Sequence, residues 1–287
     1  MENSKSKNLH WFPGHMKKAT VKLEENAKFV DFVIVILDSR APLSSYNEGI
    51  TKIFQNKPKL FILNKIDISN ENETKKWLSY FSKDEDRAIT LNSTKNLNKV
   101  LQNELQILTK KKKEKSLNRG IKRPIFKGIV IGVPNCGKST FINGLIGKSR
   151  LDAQDRPGVT RSATWIKISD DFLLMDTPGI LTPKFEDKET AIKLALIGSI
   201  KLDIVPFEEI TKYLVSFLFK YYEADFNKYL KVDNFEDKTA PNVINHIAKT
   251  MVPLLKGAEL DLEMANKKLL NDFRDGKIAK ITLDIIE

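Results

Sequence analysis

Two short segments carry residue types that bind phosphate and Mg²⁺. The first reads G-x-x-x-x-G-K-S from Gly132 to Ser139 and follows an apolar run. Its glycines would let backbone N–H groups turn towards phosphate oxygens, while Lys138 meets the β and γ oxygens and the Ser139 hydroxyl reaches Mg²⁺. The second reads D-x-x-G: Asp176 would hold Mg²⁺ through water, and the N–H of Gly179 would meet a γ-phosphate. The other loop residues expected against the nucleotide are Pro134, Asn135, Cys136, Gly137 and Thr140.

A third segment, Asn64 to Asp67, reads N-K-x-D and indicates which base is bound. Asp67 would accept two hydrogen bonds from N1–H and the exocyclic amino group of guanine, a pattern that adenine cannot offer. Asn64 would brace the loop, and the Lys65 stem would cover the base. The tetrapeptide alone could be a turn in a Lys- and Asn-rich chain, but beside a phosphate loop it favours GTP over ATP. Later in the chain, Asn92 and Ser93 are expected to support the base contact.

The residues expected to act on the γ-phosphate include one clear departure from the common pattern. Thr160 is the candidate for the switch threonine that joins the Mg²⁺ shell, and Thr164 is its competitor. Many GTPases have a glutamine after the D-x-x-G glycine that orients the attacking water. Here that residue is Ile180, which cannot do so. Turnover is therefore very slow, or another polar side chain orients the water.

The elements that must position these residues follow from the apolar runs. Four strand-sized runs end at or just before chemically important residues, as in parallel sheets with ligands at the carboxyl ends of the strands. With helix-like stretches between them, such as Glu71 to Phe81, they predict an α/β fold with a doubly wound, mostly parallel sheet. A hairpin is expected at its edge. The predicted strands are Phe32 to Leu37, Lys59 to Leu63, Phe126 to Ile131 and Phe172 to Met175.

The order of the motifs and the later helical spacing predict two domains. An ordinary small GTPase has the phosphate loop first and N-K-x-D near its end, whereas here N-K-x-D comes first. We therefore expect a circularly permuted P-loop GTPase domain over residues 1–182. A smaller, mainly helical domain that binds RNA or the ribosome is expected over residues 183–287, because apolar residues recur at helical spacing from Glu189 onward.

Composition limits the class of protein and its partners. The 287 residues are 41% hydrophobic and 30% charged, which suits a globular protein, and no run reaches the length of a membrane span. One cysteine, Cys136, excludes an intramolecular disulfide, and the N-terminus has no apolar signal region, so a cytoplasmic location is expected. The net charge of +11 fits either a Lys-biased composition or a polyanionic partner.

The strongest charge run lies between the guanine motif and the phosphate loop, from Lys110 to Lys127, with Glu114 as its one acidic residue. In a permuted fold, this is where a new connection joins the previous termini. The run could be a solvated linker or a contact to the phosphate backbone of RNA. We expect it to serve both purposes.

These motifs together resemble the ribosome biogenesis GTPase A family (RbgA, also called YlqF) over nearly the whole chain. The resemblance rests on W-F-P-G-H-M from Trp11, D-S-R-A-P from Asp38, the nucleotide motifs, R-P-G-V-T from Arg156, and the final segment around Asp272. It implies a cytoplasmic GTPase that binds the immature large ribosomal subunit and its rRNA, promotes late maturation and is stimulated by the particle. We expect neither DNA nor a membrane as partner, and a monomer off the ribosome.

The resemblance also implies roles for two residues in hydrolysis. His15, in the P-G-H-M segment, would take part in catalysis where Ile180 cannot, because a neutral imidazole can orient water. The alternative is a rigid turn or an RNA contact with His15 incidental. Asn135 matches the asparagine that helps hold K⁺ in potassium-activated GTPases, although it could merely shape the loop. The expected cofactors are thus GTP or GDP, Mg²⁺ and K⁺. A competing hypothesis is a nucleotide-gated RNA-binding scaffold whose hydrolysis is incidental.

Overall fold

A mostly parallel sheet forms the centre of the computed structural model, which describes residues 14–91, 97–146, 165–177, 179, 187–255 and 257–286. The six-stranded sheet has the order β3-β2-β1-β4-β6-β5, and β5 alone runs antiparallel to its neighbour. This confirms the predicted α/β class, the strand positions and the edge hairpin. The strands are β1 (Phe32–Asp38), β2 (Lys59–Asn64), β3 (Arg87–Thr90), β4 (Phe126–Ile131), β5 (Trp165–Lys167) and β6 (Phe172–Met175).

Apolar side chains on both faces explain why β1 lies at the centre of the sheet. Every residue of β1 is buried. Because successive side chains point to opposite faces, Phe32 and Ile34 pack into one hydrophobic cluster, whereas Val33 and Val35 pack into the other with Trp77. A strand covered on both sides gives a continuous apolar run rather than an alternating one.

The helices cover both faces of the sheet and continue beyond it. Several begin at a side-chain cap: Asn70 accepts from the N–H groups of Asn72 and Glu73, and Asp187 and Asp261 cap later helices in the same way. The helices are α1 (Gly14–Ala27), α2 (Glu48–Lys52), α3 (Glu71–Phe81), α4 (Leu97–Asn118), α5 (Lys138–Ile146), α6 (Lys188–Leu196), α7 (Phe207–Tyr221), α8 (Glu223–Leu230), α9 (Ala240–Met251) and α10 (Leu262–Arg274). No helix in these described ranges is long and apolar enough to span a membrane.

The lysine-rich run differs from the expected linker. Its first part is helical, because α4 continues to Asn118 on a buried stripe that includes Leu101, Leu105 and Thr109. Two residues beyond the end of the helix, Gly120 has φ +85°, and the N–H of Ile121 donates to the carbonyl of Ser116 at 3.1 Å. Glycine adopts this left-handed conformation without strain, so it closes the helix as a Schellman-type cap.

The helices from α6 to α10 share a hydrophobic core with the sheet. Leu214 of α7, Ile247 of α9 and Leu269 of α10 belong to the same buried cluster as Phe32 and Ile34 of β1. The predicted domain boundary between residues 182 and 183 lies outside the described residues, and the division into two domains stays a prediction.

Residues 277–286, the C-terminal segment, return from α10 to the sheet. The chain turns at Gly276, which has φ +71° and no room for a side chain, since a Cβ there would lie 2.6 Å from Cγ2 of Ile68. The N–H of Ile281 then donates to the carbonyl of Ile68 at 3.2 Å, and the N–H of Leu283 donates to that of Arg40 at 2.6 Å. The segment therefore packs against the loops that follow β1 and β2.

Candidate functional site

The phosphate loop lies between β4 and α5, against the guanine motif. Gly137 has φ +102°, and a Cβ there would lie 2.0 Å from Nδ2 of Asn64. That amide donates to the carbonyl of Cys136 at 2.9 Å, so Asn64 braces the phosphate loop. A side chain at position 137 would disrupt this contact, which explains the requirement for glycine.

Lys138 holds its ammonium inside the loop. Its Nζ donates to the carbonyls of Gly132 at 3.0 Å and Val133 at 2.8 Å, and the residue is 7% exposed. Burial lowers the pKa of Lys138, and the nearby charge of Asp176 opposes that effect. The loop thus holds a buried cation that phosphate oxygens can neutralise.

The amino end of α5 offers the remaining phosphate ligands. Ser139 and Thr140 are exposed in its first turn, which contains no acidic residue. Unpaired N–H groups and the helix dipole make such an end favourable for anions. Cys136, just before the helix, is buried, and burial raises the pKa of its thiol. It therefore packs as an apolar residue of the loop.

The carboxylate of Asp176 is suited to binding Mg²⁺. It follows β6 directly, and its Oδ1 is buried without a hydrogen-bond partner among the described residues. Burial raises the pKa of Asp176, and Lys138 counteracts that shift. A buried unpartnered oxygen calls for a ligand, and carboxylates that leave room for water and phosphate are characteristic of Mg²⁺ sites. The described residues contain no cluster of His, Cys, Asp and Glu that could hold a metal alone.

Gly179 brings the D-x-x-G segment against the phosphate loop. A Cβ at this position would lie 2.8 Å from Cα of Pro134 and 3.1 Å from Nζ of Lys138. Only glycine fits so close to backbone atoms. The neighbouring Thr177 anchors the segment, since its hydroxyl donates to the carbonyl of Val130 at 2.6 Å. The two phosphate motifs therefore meet, as their predicted chemistry requires.

The guanine motif is connected to the phosphate loop through Lys65. This residue has φ +64°, and its Nζ donates to Oδ2 of Asp38 at 2.7 Å and to the carbonyl of Asn135 at 2.8 Å. Asp67 is exposed on the same loop, where a base can reach it. The ammonium at the end of the Lys65 stem is thus fixed from two sides.

A buried ion pair, Asp38 with Arg40, completes the site, although neither residue has a role in the chemistry predicted from the sequence. Nε and Nη2 of Arg40 donate to the two carboxylate oxygens at 2.9 and 2.8 Å. Burial would raise the pKa of Asp38, but the hydrogen bonds and charges of Arg40 and Lys65 together keep that pKa below its usual value. Two opposite charges directly after a continuous apolar run were the sequence signal that could have revealed this pair.

The helices after the sheet contact the site directly. Nη2 of Arg40 also donates to the carbonyl of Ile197 at 3.1 Å, and its Nη1 donates to that of Arg274 at 3.2 Å. From the phosphate loop, Nδ2 of Asn135 donates to the carbonyl of Gly198 at 2.7 Å. The end of α6 therefore lies beside both the phosphate loop and the ion pair.

Several predicted site residues lie outside the described residues. This holds for Asn92, Ser93, Thr160 and Ile180, and for the side chain of His15, whose backbone is the second residue of α1. Their roles stay predictions.

The fold and motifs define a P-loop GTPase domain followed by helices, and comparisons with known proteins agree. A family model described as "50S ribosome-binding GTPase" matches residues 127–231. Ribosome biogenesis GTPase A of Bacillus cereus is 35% identical, with 97% of this chain and 94% of the relative covered. The GDP-bound structure of TM YlqF has a TM-score of 0.66 at 25% identity, covering 92% of this chain and 98% of that one. For GNP-bound YlqF from T. maritima the TM-score is 0.64 at 25% identity, with coverages of 93% and 97%.

The chain belongs to the ribosome biogenesis GTPase A family. It is a GTP hydrolase, and the resemblance found in its motifs is confirmed.

Proposed function

We propose that this protein binds the precursor of the large ribosomal subunit and its rRNA, and promotes late assembly of the subunit. In this proposal the particle stimulates hydrolysis of GTP to GDP and phosphate, and the protein acts as a cytoplasmic monomer off the ribosome. The names of its relatives support the ribosomal role. The observation that carries the proposal is the Asn135 to Gly198 hydrogen bond, because it connects the phosphate loop directly with the end of α6.

Circular permutation would also connect the nucleotide site to the later helices covalently, through the chain itself. With N-K-x-D first, the D-x-x-G segment becomes the last element of a GTPase domain over residues 1–182, and the chain leads from it into α6. A γ-phosphate that attracts the N–H of Gly179 would then move helices that bind rRNA. The affinity for purified large subunits should therefore differ between the GTP-analogue and GDP states. Equal affinities in a sedimentation assay would contradict the proposed switch.

The described residues can supply much of the charge stabilisation needed for phosphoryl transfer. When bound, Mg²⁺ would neutralise charge on the β and γ oxygens, held by Ser139, Asp176 and the predicted switch residue Thr160. Lys138 would release its loop carbonyls and turn to the phosphates. The N–H groups at the start of α5 would stabilise the charge that develops on the leaving GDP.

His15 is the proposed water-orienting residue, since Ile180 cannot fill that role. His15→Ala should abolish particle-stimulated turnover while GTP affinity stays within about threefold, and His10→Ala serves as the nearby control. The result distinguishes two functions. If His15→Ala leaves both stimulation and particle binding intact, His15 is incidental. If the wild type binds particles according to nucleotide state without stimulated turnover, the protein is a nucleotide-gated RNA-binding scaffold.

Potassium is the proposed second cation, held in part by Asn135. Its Nδ2 is used by the Gly198 carbonyl, so the amide is oriented with Oδ1 as the atom available to a cation. A K⁺ beside the β and γ oxygens would offset negative charge as an arginine finger does. Replacing K⁺ with Na⁺ at constant ionic strength should lower turnover at least about tenfold, and Asn135→Ala should remove that difference.

A further inference from the structure

The last turns of α4 cross the end of the sheet at which the parallel strands begin, opposite the nucleotide site. Lys111 pairs with Glu85 at 2.6 Å, Lys113 pairs with Asp171 at 3.3 Å, and Lys112 pairs with Asp31. These acids precede β3, β6 and β1, so they mark the amino ends of parallel strands. The nucleotide motifs follow the carboxyl ends, roughly 20 Å away for strands of this length.

The three ion pairs separate the cations of the run into two groups. Lys111, Lys112 and Lys113 fasten the helix to the sheet and are largely neutralised. The remaining cations before Ile125 are exposed and form no ion pair with another described residue. Two of them still lie within electrostatic range of an acid, Lys115 of Glu85 and Arg123 of Asp170. We name this second group the α4 basic surface: Lys110, Lys115, Arg119, Lys122 and Arg123.

The α4 basic surface is built largely on the helix and its cap. Lys110 and Lys115 lie on α4, and the Gly120 cap fixes the turn that carries Arg119. Exposed Leu117, at 47%, and Ile121, at 49%, lie between the cations. A partner would not have to order a flexible linker, so less conformational entropy is lost on binding.

We infer that the α4 basic surface is a docking site for the phosphate backbone of RNA, and that it acts independently of the bound nucleotide. An excess of exposed Lys and Arg beside three neutralised lysines has the charge distribution that a polyanion requires. Because the surface lies near the amino ends of the strands, opposite the phosphate loop, RNA on it does not cover the GTP. This inference rests on the proposed function, in which rRNA is the partner, and it assigns the surface that anchors it.

The test removes the charges and measures binding to purified large ribosomal subunits and to an RNA duplex of about 16 base pairs as a function of KCl. One variant changes every residue of the α4 basic surface to Gln. A control variant with the same net charge changes exposed lysines elsewhere to Gln: Lys28, Lys52, Lys75, Lys83 and Lys99. GTP affinity and thermal unfolding check that both variants fold, since none of these residues lies at the nucleotide site.

The surface variant should bind both RNA probes at least about tenfold more weakly, and its salt dependence should fall by about one unit for each phosphate that the surface no longer neutralises. The loss should be the same with GDP and with a GTP analogue, whereas the control variant should lose less than about threefold. Wild-type affinity and salt dependence in the surface variant would overturn the inference. Binding to phosphatidylglycerol vesicles is measured in parallel, and a loss confined to the vesicles would also overturn the inference, because the surface would then be a membrane site. Wild-type protein that binds RNA but is not stimulated by subunits would instead contradict the proposed function.

Discussion

The Arg40 guanidinium binds Asp38 through two hydrogen bonds of 2.9 and 2.8 Å, and both side chains are buried. The same carboxylate accepts from the guanine-motif lysine, Lys65, while the rest of the Arg40 guanidinium donates to carbonyls of Ile197 and Arg274. One ion pair thus joins the base-binding loop to the helices from α6 onward. Its partners in the helices lie far away in sequence, so the contact exists only in the folded protein.

Loss of Arg40 should be strongly destabilising. Arg40→Met would leave the Asp38 carboxylate buried with Lys65 as its remaining cation, and breaking a buried pair from one side typically costs about 3–5 kcal/mol. Urea denaturation should show this loss. Lys75→Met, which breaks the exposed pair with Glu71, should cost much less stability, because solvent screens that pair. Equal losses of stability in the two variants would show that the buried pair contributes no more than an exposed one.

The contribution of Asp38 should depend on pH with a defined sign. Its folded-state pKa lies below the usual value, so its stabilising effect is fully present above the unfolded pKa, about 3.9, and is lost as the pH falls through the folded pKa. The stability difference between wild type and Asp38→Asn should therefore shrink below about pH 4 in urea titrations.

Asp86 provides the opposite case as a control. Burial raises its pKa, although Lys59 acts against the shift. Ionisation of Asp86 then costs stability as the pH rises from the unfolded to the folded pKa, so the difference from Asp86→Asn should change in the other direction. The same pH trend for both variants would contradict the assignment of Asp38 as the paired carboxylate.

Asp67 should determine the base. In Asp67→Asn the two acceptor oxygens of the carboxylate become one acceptor oxygen and one donor NH₂ group. The NH₂ group can donate to the carbonyl at position 2 of xanthine, but it cannot accept from the amino group of guanine. Affinity for GTP should fall at least about 100-fold while affinity for xanthosine triphosphate rises, as measured by competition with a fluorescent nucleotide. Asp84→Asn, an exposed change on another loop, should leave both affinities unaltered. Unchanged GTP affinity in Asp67→Asn would remove Asp67 from the base site.

Much of the fold and the position of the site could be predicted from the sequence. The run from Phe32 to Leu37 is buried on both faces, and such continuous apolar strands stand out without structural information. The helix from Glu71 to Phe81 has the predicted bounds, because its cap Asn70 and its apolar spacing are local signals. α10 begins at Leu262, directly after its capping residue Asp261.

The parts that could not be predicted depend on contacts between distant segments. Lysines dominate the second half of α4, so its helical continuation is hidden in a charge run. Its ion pairs with Asp31, Glu85 and Asp171 join segments that are distant in sequence. The return of residues 277–286 to the sheet rests on backbone hydrogen bonds to Ile68 and Arg40, for which no local pattern exists. The hydrogen bond from Asn135 to Gly198 has the same origin.

Gly179 should tolerate no side chain. In Gly179→Ala the new methyl group would contact Pro134 and the Lys138 ammonium, which displaces the D-x-x-G segment from the γ-phosphate. Turnover and GTP-analogue affinity should each fall at least about tenfold, equivalent to about 1.4 kcal/mol, while GDP affinity changes less than about threefold. Gly144→Ala, where the nearest atom is the flexible side chain of Leu97, is the control. A parallel loss of GDP affinity would indicate a damaged loop rather than a weakened interaction with the γ-phosphate.

Steady-state GTP hydrolysis in potassium buffer, with and without purified large ribosomal subunits, tests the central claim most directly. The proposed function predicts slow turnover by the protein alone, because Ile180 follows Gly179, and strong stimulation by the subunits, by at least about tenfold. Small ribosomal subunits at the same concentration should not stimulate. Tight GTP binding without stimulation by large subunits would contradict the proposal and favour a nucleotide-gated scaffold.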